Sequence, residues 1–180
     1  MTKRRALLLG VTILALGTST WSAGPARVGP AELRRTIEGG AGSQQELVDR
    51  LLQALKDRDG NALRRLRVSE SEYLDIVVAG YVEPGQPRRE LTASWRQYAW
   101  ANLVTRSEQY ELRMLREFGG RDLTVTNVSF EEGEKEYAGY RAYRQLRLTV
   151  VDAKGTEQQL RTGSIAEVDG KFKFISFIRD

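Results

Sequence analysis

Residues 92–130 read TASWRQYAWANLVTRSEQYELRMLREFGGRDLTVTNVSF, and a change of period inside this stretch decides the fold class. From Thr92 to Phe118 there is neither Pro nor Gly, and Trp95, Ala99, Leu103, Ser107, Tyr110, Met114 and Phe118 follow at steps of three and four. Such steps place side chains on one face of an α-helix. A long amphipathic helix is therefore expected, closed by Gly119-Gly120. Past the glycines the period becomes two. Val125, Asn127 and Ser129 alternate with Thr124, Thr126, Val128 and Phe130, as in a strand.

Working outward, helices lie before this switch and strands after it. Ser43-Gln44-Gln45-Glu46 is a capping-box pattern, and Leu47, Val48, Leu51, Leu52 and Leu55 recur at helical spacing. The spacing predicts a helix over 44–58 with Gly60 as its left-handed stop. Asn61 is placed to cap a short second helix through Ala62, Leu63 and Leu66. Ser69-Glu70-Ser71-Glu72 opens a third, which buries Tyr73, Leu74, Ile76 and Val77 and ends near Gly80. Glu83-Pro84-Gly85-Gln86-Pro87 reads as a loop. Downstream, Leu146, Leu148 and Val150 alternate with Arg147, Thr149 and Val151, and Asp152-Ala153-Lys154-Gly155 and Asp169-Gly170 are hairpin turns. Four strands are expected, near 122–130, 139–152, 156–168 and 171–179. In the last, the alternation shifts phase at Phe174-Ile175, which predicts a bulge or burial on both faces. Helices first and strands after, without βαβ alternation, give an α+β fold whose helices pack on one face of a curved antiparallel four-stranded meander.

The chain begins with Lys3, Arg4 and Arg5, an uncharged apolar run from Ala6 to Gly17, then Thr18-Ser19-Thr20. This is the order of a secretory signal, too short in its apolar part to span a bilayer. Residues 1–23 are therefore expected to be a signal peptide and the protein exported, to a periplasm or outside the cell. A membrane attachment follows only if the signal is not cleaved. Gly24-Pro25, Gly29-Pro30 and Gly39-Gly40-Ala41-Gly42 mark 24–42 as a Gly/Pro-rich linker, leaving 43–180 as one α+β domain.

Composition then excludes several chemistries. The chain carries 28 Lys+Arg against 24 Asp+Glu, and three of the bases lie in the signal, so its excess falls from +4 to +1 without that segment. No basic stripe of the nucleic-acid-binding kind is left, and no nucleic-acid partner is expected. Cys and His are both absent. Thiol nucleophiles, Ser-His-Asp triads and zinc sites built on those residues are ruled out, and a domain of roughly 135 residues must be held by its hydrophobic core without disulfides.

The order of a capped N-terminal helix, short helices, one long helix rich in Trp and Tyr, and a meander closing on Asp169-Gly170-Lys171-Phe172-Lys173-Phe174-Ile175 resembles the nuclear transport factor 2-like superfamily, an α+β cone of cystatin-like layout, over about residues 43–180. The resemblance implies a concave sheet and helices around a pocket, used in that superfamily by enzymes, ligand-binding proteins and assembly scaffolds. Fold alone does not choose among these. This chain departs from the usual layout between the short helices and the long one, where only the Pro-rich segment 81–90 stands in for a hairpin, so one wall of the cone is expected to be reduced.

Trp95, Tyr98, Asn102 and Tyr143 are the candidate ligand-binding residues of that pocket. The rings of Tyr98 and Tyr143 are expected in the core with hydroxyls at its rim, and Asn102 to bond the sheet or face a cavity. Asp75 and Glu111 add carboxylates, but no pair occupies adjacent inward positions, so no catalytic residue is assigned. No metal or cofactor is expected either. In Asp57-Arg58-Asp59-Gly60-Asn61 the glycine is at the wrong position for a calcium loop, and Glu131-Glu132-Gly133-Glu134-Lys135-Glu136 reads as a solvated acidic hairpin. The function expected is an exported, non-catalytic domain that binds a partner protein, including a second copy of itself, or a small apolar ligand. The alternatives are a small hydrolase or isomerase using a carboxylate or tyrosine, and a membrane-anchored periplasmic assembly scaffold.

Overall fold

Side-chain caps set where each helix begins in the computed structural model, which describes residues 36–178. Ser43 Oγ accepts from the Glu46 N–H at 3.1 Å and opens α1, Gln44–Lys56, which buries Leu47, Val48, Leu51 and Leu55. The helix ends before Gly60. Arg58 itself takes the left-handed turn, at φ 54°, and its side chain lies against Gly120. Asp59, not Asn61, caps α2, Gly60–Arg65, by accepting from the Ala62 N–H at 2.9 Å. The predicted capping box forms at Ser69 and Glu72 and opens α3, Glu70–Glu72. From Tyr73 to Val78 the chain continues as a π-helix. Thr92 caps α4, Ala93–Phe118, whose buried stripe is Ala99, Leu103, Ser107, Glu111, Met114 and Phe118.

After Gly119-Gly120 come β1, Leu123–Phe130; β2, Glu134–Tyr137; β3, Tyr140–Tyr143; β4, Leu146–Asp152; β5, Glu157–Arg161; β6, Ile165–Val168; and β7, Lys171–Phe174. All neighbours pair antiparallel. The four-stranded meander expected is thus replaced by two sheets, one of three strands in the order β1-β4-β5 and one of four in the order β2-β3-β6-β7. The physical reason is a crease across three long strands. At the crease Gly133 and Gln145 turn left-handed, with φ of 68° and 58°, while backbone bonds carry on across it: Glu131 N–H to Gln145 O at 3.0 Å and Thr162 N–H to Leu146 O at 3.0 Å.

The crease changes which residues face inward. Leu146, Leu148 and Val150 of β4 and Leu160 of β5 join α1, α2 and the second half of α4 in the main core. Across the crease, Tyr140, Ala142, Ala166 and Val168 turn instead toward Ile76 and Val77 of the π-helix. The opposite face of the same strands, with Ile165 and Phe174, stays in the main core. In β1 a bulge between Val125 and Asn127 achieves a similar switch, so that Val125 and Phe130, of opposite parity, both pack inward.

The last strand also differs from expectation. It stops at Phe174: the Ile175 N–H makes one last in-register bond, to Ser164 O at 2.8 Å, and Phe177 then packs beside Phe174 with ring centroids 5.0 Å apart. The phase shift at Phe174-Ile175 is therefore a strand end. The outer edge of β7 is covered by single bridges to Ala41 and Arg67, which removes a free edge. Ile37 and Ala41, assigned to the linker by composition, are buried in this packing. The signal segment and residues 24–35 of the linker lie outside the described residues. Among those described, no helix is long and apolar enough to cross a membrane.

Gly163 sits where the C-terminal segment crosses the crease. A Cβ there would lie 2.5 Å from Ser176 O and 2.8 Å from Ile178 O. Gly163→Ala is expected to lower stability by about 1–3 kcal/mol through overpacking, measured as a shift in the urea unfolding midpoint at unchanged m-value.

Candidate functional site

The crease and the switch in facing residues leave a cleft of about 420 Å³ between the first half of α4, the π-helix and the concave face of the four-stranded sheet. Its aromatic wall is built by a tight turn. Tyr137 and Tyr140 flank Ala138-Gly139, where Gly139 takes φ 98°, and their rings stack at 5.0 Å and 18°. Tyr81 continues the stack on Tyr137 at 4.7 Å and 26°. Segment 81–90, expected to leave a wall reduced, is bound along this turn. The Ala138 N–H donates to Val82 O at 3.1 Å, the Arg89 N–H to Ala79 O at 2.8 Å, and Arg88 Nη1 to Asp75 O at 2.9 Å.

Burial sets the chemistry of these phenols. Tyr140 is 5% exposed, and burial holds its hydroxyl far above the ordinary tyrosine range. Burial and a hydrogen bond with Tyr81 push Tyr137 up to about 12. Both remain protonated donors at neutral pH. Among the described residues Glu132 is the carboxylate of the cleft lining, and it pairs with Arg144 at 3.3 Å. Arg89 and Arg106 complete the charged lining.

No family model, no curated protein and no solved structure matches this chain.

The four candidate residues are not brought together. Trp95 lies on the cleft wall and is 44% exposed. Tyr98 is 67% exposed and Asn102 is exposed too, so neither occupies the core or the sheet contact expected of it. Each precedes a residue of the buried stripe, Ala99 and Leu103, and one residue is a rotation of about 100° around the helix. Tyr143 faces the other side of the sheet, between Phe130 at 5.3 Å and Phe172 at 6.2 Å, and its hydroxyl donates to Glu167 at 2.7 Å. Burial and that bond raise its pKa. Asp75 pairs with Arg96 at 2.8 Å. The residues missed by the sequence reading are Tyr81, Tyr137, Tyr140 and Arg89. Tyr137-Ala138-Gly139-Tyr140, two aromatics around a glycine-bearing two-residue turn, was a legible hairpin signal for two of them.

Two buried ion pairs frame the cleft without lining it. Glu72 binds Lys173 Nζ through both oxygens, at 3.1 and 2.9 Å, and also accepts the Glu38 N–H at 2.7 Å. Glu111, on the buried stripe of α4, stands 3.5 Å from Arg67 Nη1, and Arg67 lies over Trp100 at 6.0 Å. A larger groove, about 800 Å³, runs over α1 and α2 beside this pair. Its charged walls are mutually balanced, with Arg65 near Asp59 and Lys173 held by Glu72. The smaller cleft, whose aromatic wall joins buried Tyr137 and Tyr140 to the half-exposed Tyr81, is the better ligand site.

Burial raises the Glu111 carboxyl above the ordinary glutamate range, outweighing the opposing pull of Arg67. A raised folded-state pKa contributes stability that is fully present below the unfolded value, about 4.3, and is lost as pH rises through the folded value. The stability difference between the native chain and Glu111→Gln is therefore expected to move against the native chain as pH rises from about 4 to 7. Urea unfolding of both chains across that range reads it. An unchanged difference would show that the carboxyl titrates alike in the folded and unfolded states.

Proposed function

We propose that this chain is an exported, non-catalytic binding domain of the nuclear transport factor 2-like cone type, which takes a small, largely apolar ligand in the cleft between α4 and the four-stranded sheet. The observation that carries the reading is the aromatic wall of Tyr81, Tyr137 and Tyr140 inside a concavity of about 420 Å³. A concave, mostly apolar space with a few placed polar groups is what small-ligand sites share. The helices on one side and the creased meander on the other support the cone reading. The order of elements supports it too.

A hydrolase or isomerase would need a base at the reacting atom. The phenols of Tyr137 and Tyr140 are donors with raised pKa values, and Glu132 is engaged by Arg144. Both features favour binding over proton abstraction. A partner protein is the second reading, favoured by the start of α4, where Trp95 and Tyr98, one turn apart, are 44% and 67% exposed, and adjoining large side chains left uncovered mark association surfaces.

Phenylnaphthylamine, a neutral apolar dye, tests the leading reading. Saturable binding at one dye per chain is expected. It should weaken by at least about tenfold, or 1.4 kcal/mol, in Ile175→Trp, which fills the cleft from its half-buried wall. Circular dichroism confirms that the variant is folded. Binding that does not saturate, or that ignores the filled cleft, would sink the reading.

A further inference from the structure

Trp95 occupies the first position of the inward stripe of α4, four residues before Ala99 and eight before Leu103. Those two are buried, yet Trp95 keeps 44% of its surface open. It lies at a junction. An outer hollow of about 450 Å³, formed by the start of α4 and the segment before it, is lined by Trp95 and Arg89 with Glu90, Leu91 and Thr92. The same Trp95 and Arg89 line the inner cleft. A molecule extending from one hollow into the other passes against both side chains.

The charge at this junction is one-sided. Arg89 and Arg144 line the inner cleft beside the carboxylate of Glu132, and Arg144 is bound to that carboxylate. Glu90 belongs to the outer hollow. Arg89 is exposed, stands 5.7 Å from the ring of Tyr81, and makes no ion pair among the described residues. Its backbone N–H is fixed on Ala79 O, so the guanidinium is presented from an anchored stretch of chain. The inner wall is a set of near-parallel rings, at 26° and 18° to one another. These rings are stacked on one another, 4.7 and 5.0 Å apart, with no room for a guest between them, so a flat guest is matched instead by the open surface of the Trp95 indole, on which a planar ring loses the least contact.

We infer that the cleft's ligand is a small flat aromatic acid, its ring lying against Trp95 and its anionic group meeting Arg89. A guanidinium offers two parallel N–H donors in the plane that a carboxylate or sulfonate oxygen pair accepts, and such charge-assisted pairs are about twice as strong as neutral hydrogen bonds. The uncovered Trp95 supplies the apolar surface for the ring. The inference rests on the cleft being a ligand site, and it adds the ligand's charge and shape.

Anilinonaphthalene sulfonate and phenylnaphthylamine share the same aromatic body and differ by the anionic group, so the pair separates the inference from the reading beneath it. With the full chain, followed by dye emission and by quenching of tryptophan fluorescence, the sulfonate is expected to bind about tenfold tighter than the neutral dye. In Arg89→Gln the sulfonate should lose about tenfold more affinity than the neutral dye does, so that the advantage vanishes, and Arg89→Lys should restore part of it. Equal affinities for the two dyes, unaffected by Arg89→Gln, would overturn the inference and leave the apolar-ligand reading standing. A sulfonate preference that survives Arg89→Gln overturns the assignment to Arg89. Failure of both dyes to saturate overturns the reading and the inference together.

Discussion

The crease at Gly133, Gln145 and Gly163 is the constraint on which the rest of the structure depends. A meander without it would turn one face inward along its whole length. With it, β4 and β5 send Leu146, Leu148, Val150 and Leu160 into the main core, while across the crease Tyr140, Ala142, Ala166 and Val168 turn to the other side. The four-stranded sheet is consequently packed on both faces. The main core takes Ile165 and Phe174, and the π-helix covers part of the opposite face. The part it leaves uncovered is the cleft.

Two buried ion pairs hold the elements around that crease. Glu72 joins α3 to Lys173 of β7 and to the backbone of Glu38, and so ties three distant parts of the chain at one carboxylate. Arg67 follows α2, bridges Phe174 of β7 and stands beside Glu111 of α4. Buried pairs contribute little net stability compared with apolar packing of the same volume, but losing one partner leaves a costly unpaired charge. Each pair joins elements distant in the chain, so a shift of α4 or β7 would separate its partners. The cleft wall inherits that arrangement through the π-helix, whose Asp75 carbonyl holds Arg88, and through Arg89, whose N–H holds Ala79.

The cleft itself is made by contacts between segments far apart in the chain. Tyr81 comes from the loop before α4 and Tyr137 from β2, and they stack only because the Ala138 N–H bonds Val82 O. Nothing in the spacing of residues 81–90 announces that contact. The segment's prolines and glycine say only that it forms neither helix nor strand. Trp95 was legible as a helical residue of the right face, but its openness depends on how far the sheet bends away from the start of α4.

What the sequence by itself determined is everything that depends on local geometry. The 3.6-residue period of 92–118, the caps at Ser43 and Ser69, the break at Gly119-Gly120 and the two-residue period beyond it are properties of neighbouring residues, and they yield helices followed by antiparallel strands without reference to the rest of the chain. What only the tertiary structure decided is which faces meet. Tyr98 and Asn102 lie beside the buried stripe of α4 and face out, and Tyr143 shares β3 with Tyr140 yet faces the other side of the sheet. A rotation of 100° on a helix, or one step along a strand, moves a side chain from a cleft to the solvent or the core. Period alone therefore locates a stripe, while the left-handed turn at Gln145 and the close approach at Gly163 decide which side of the sheet becomes a site.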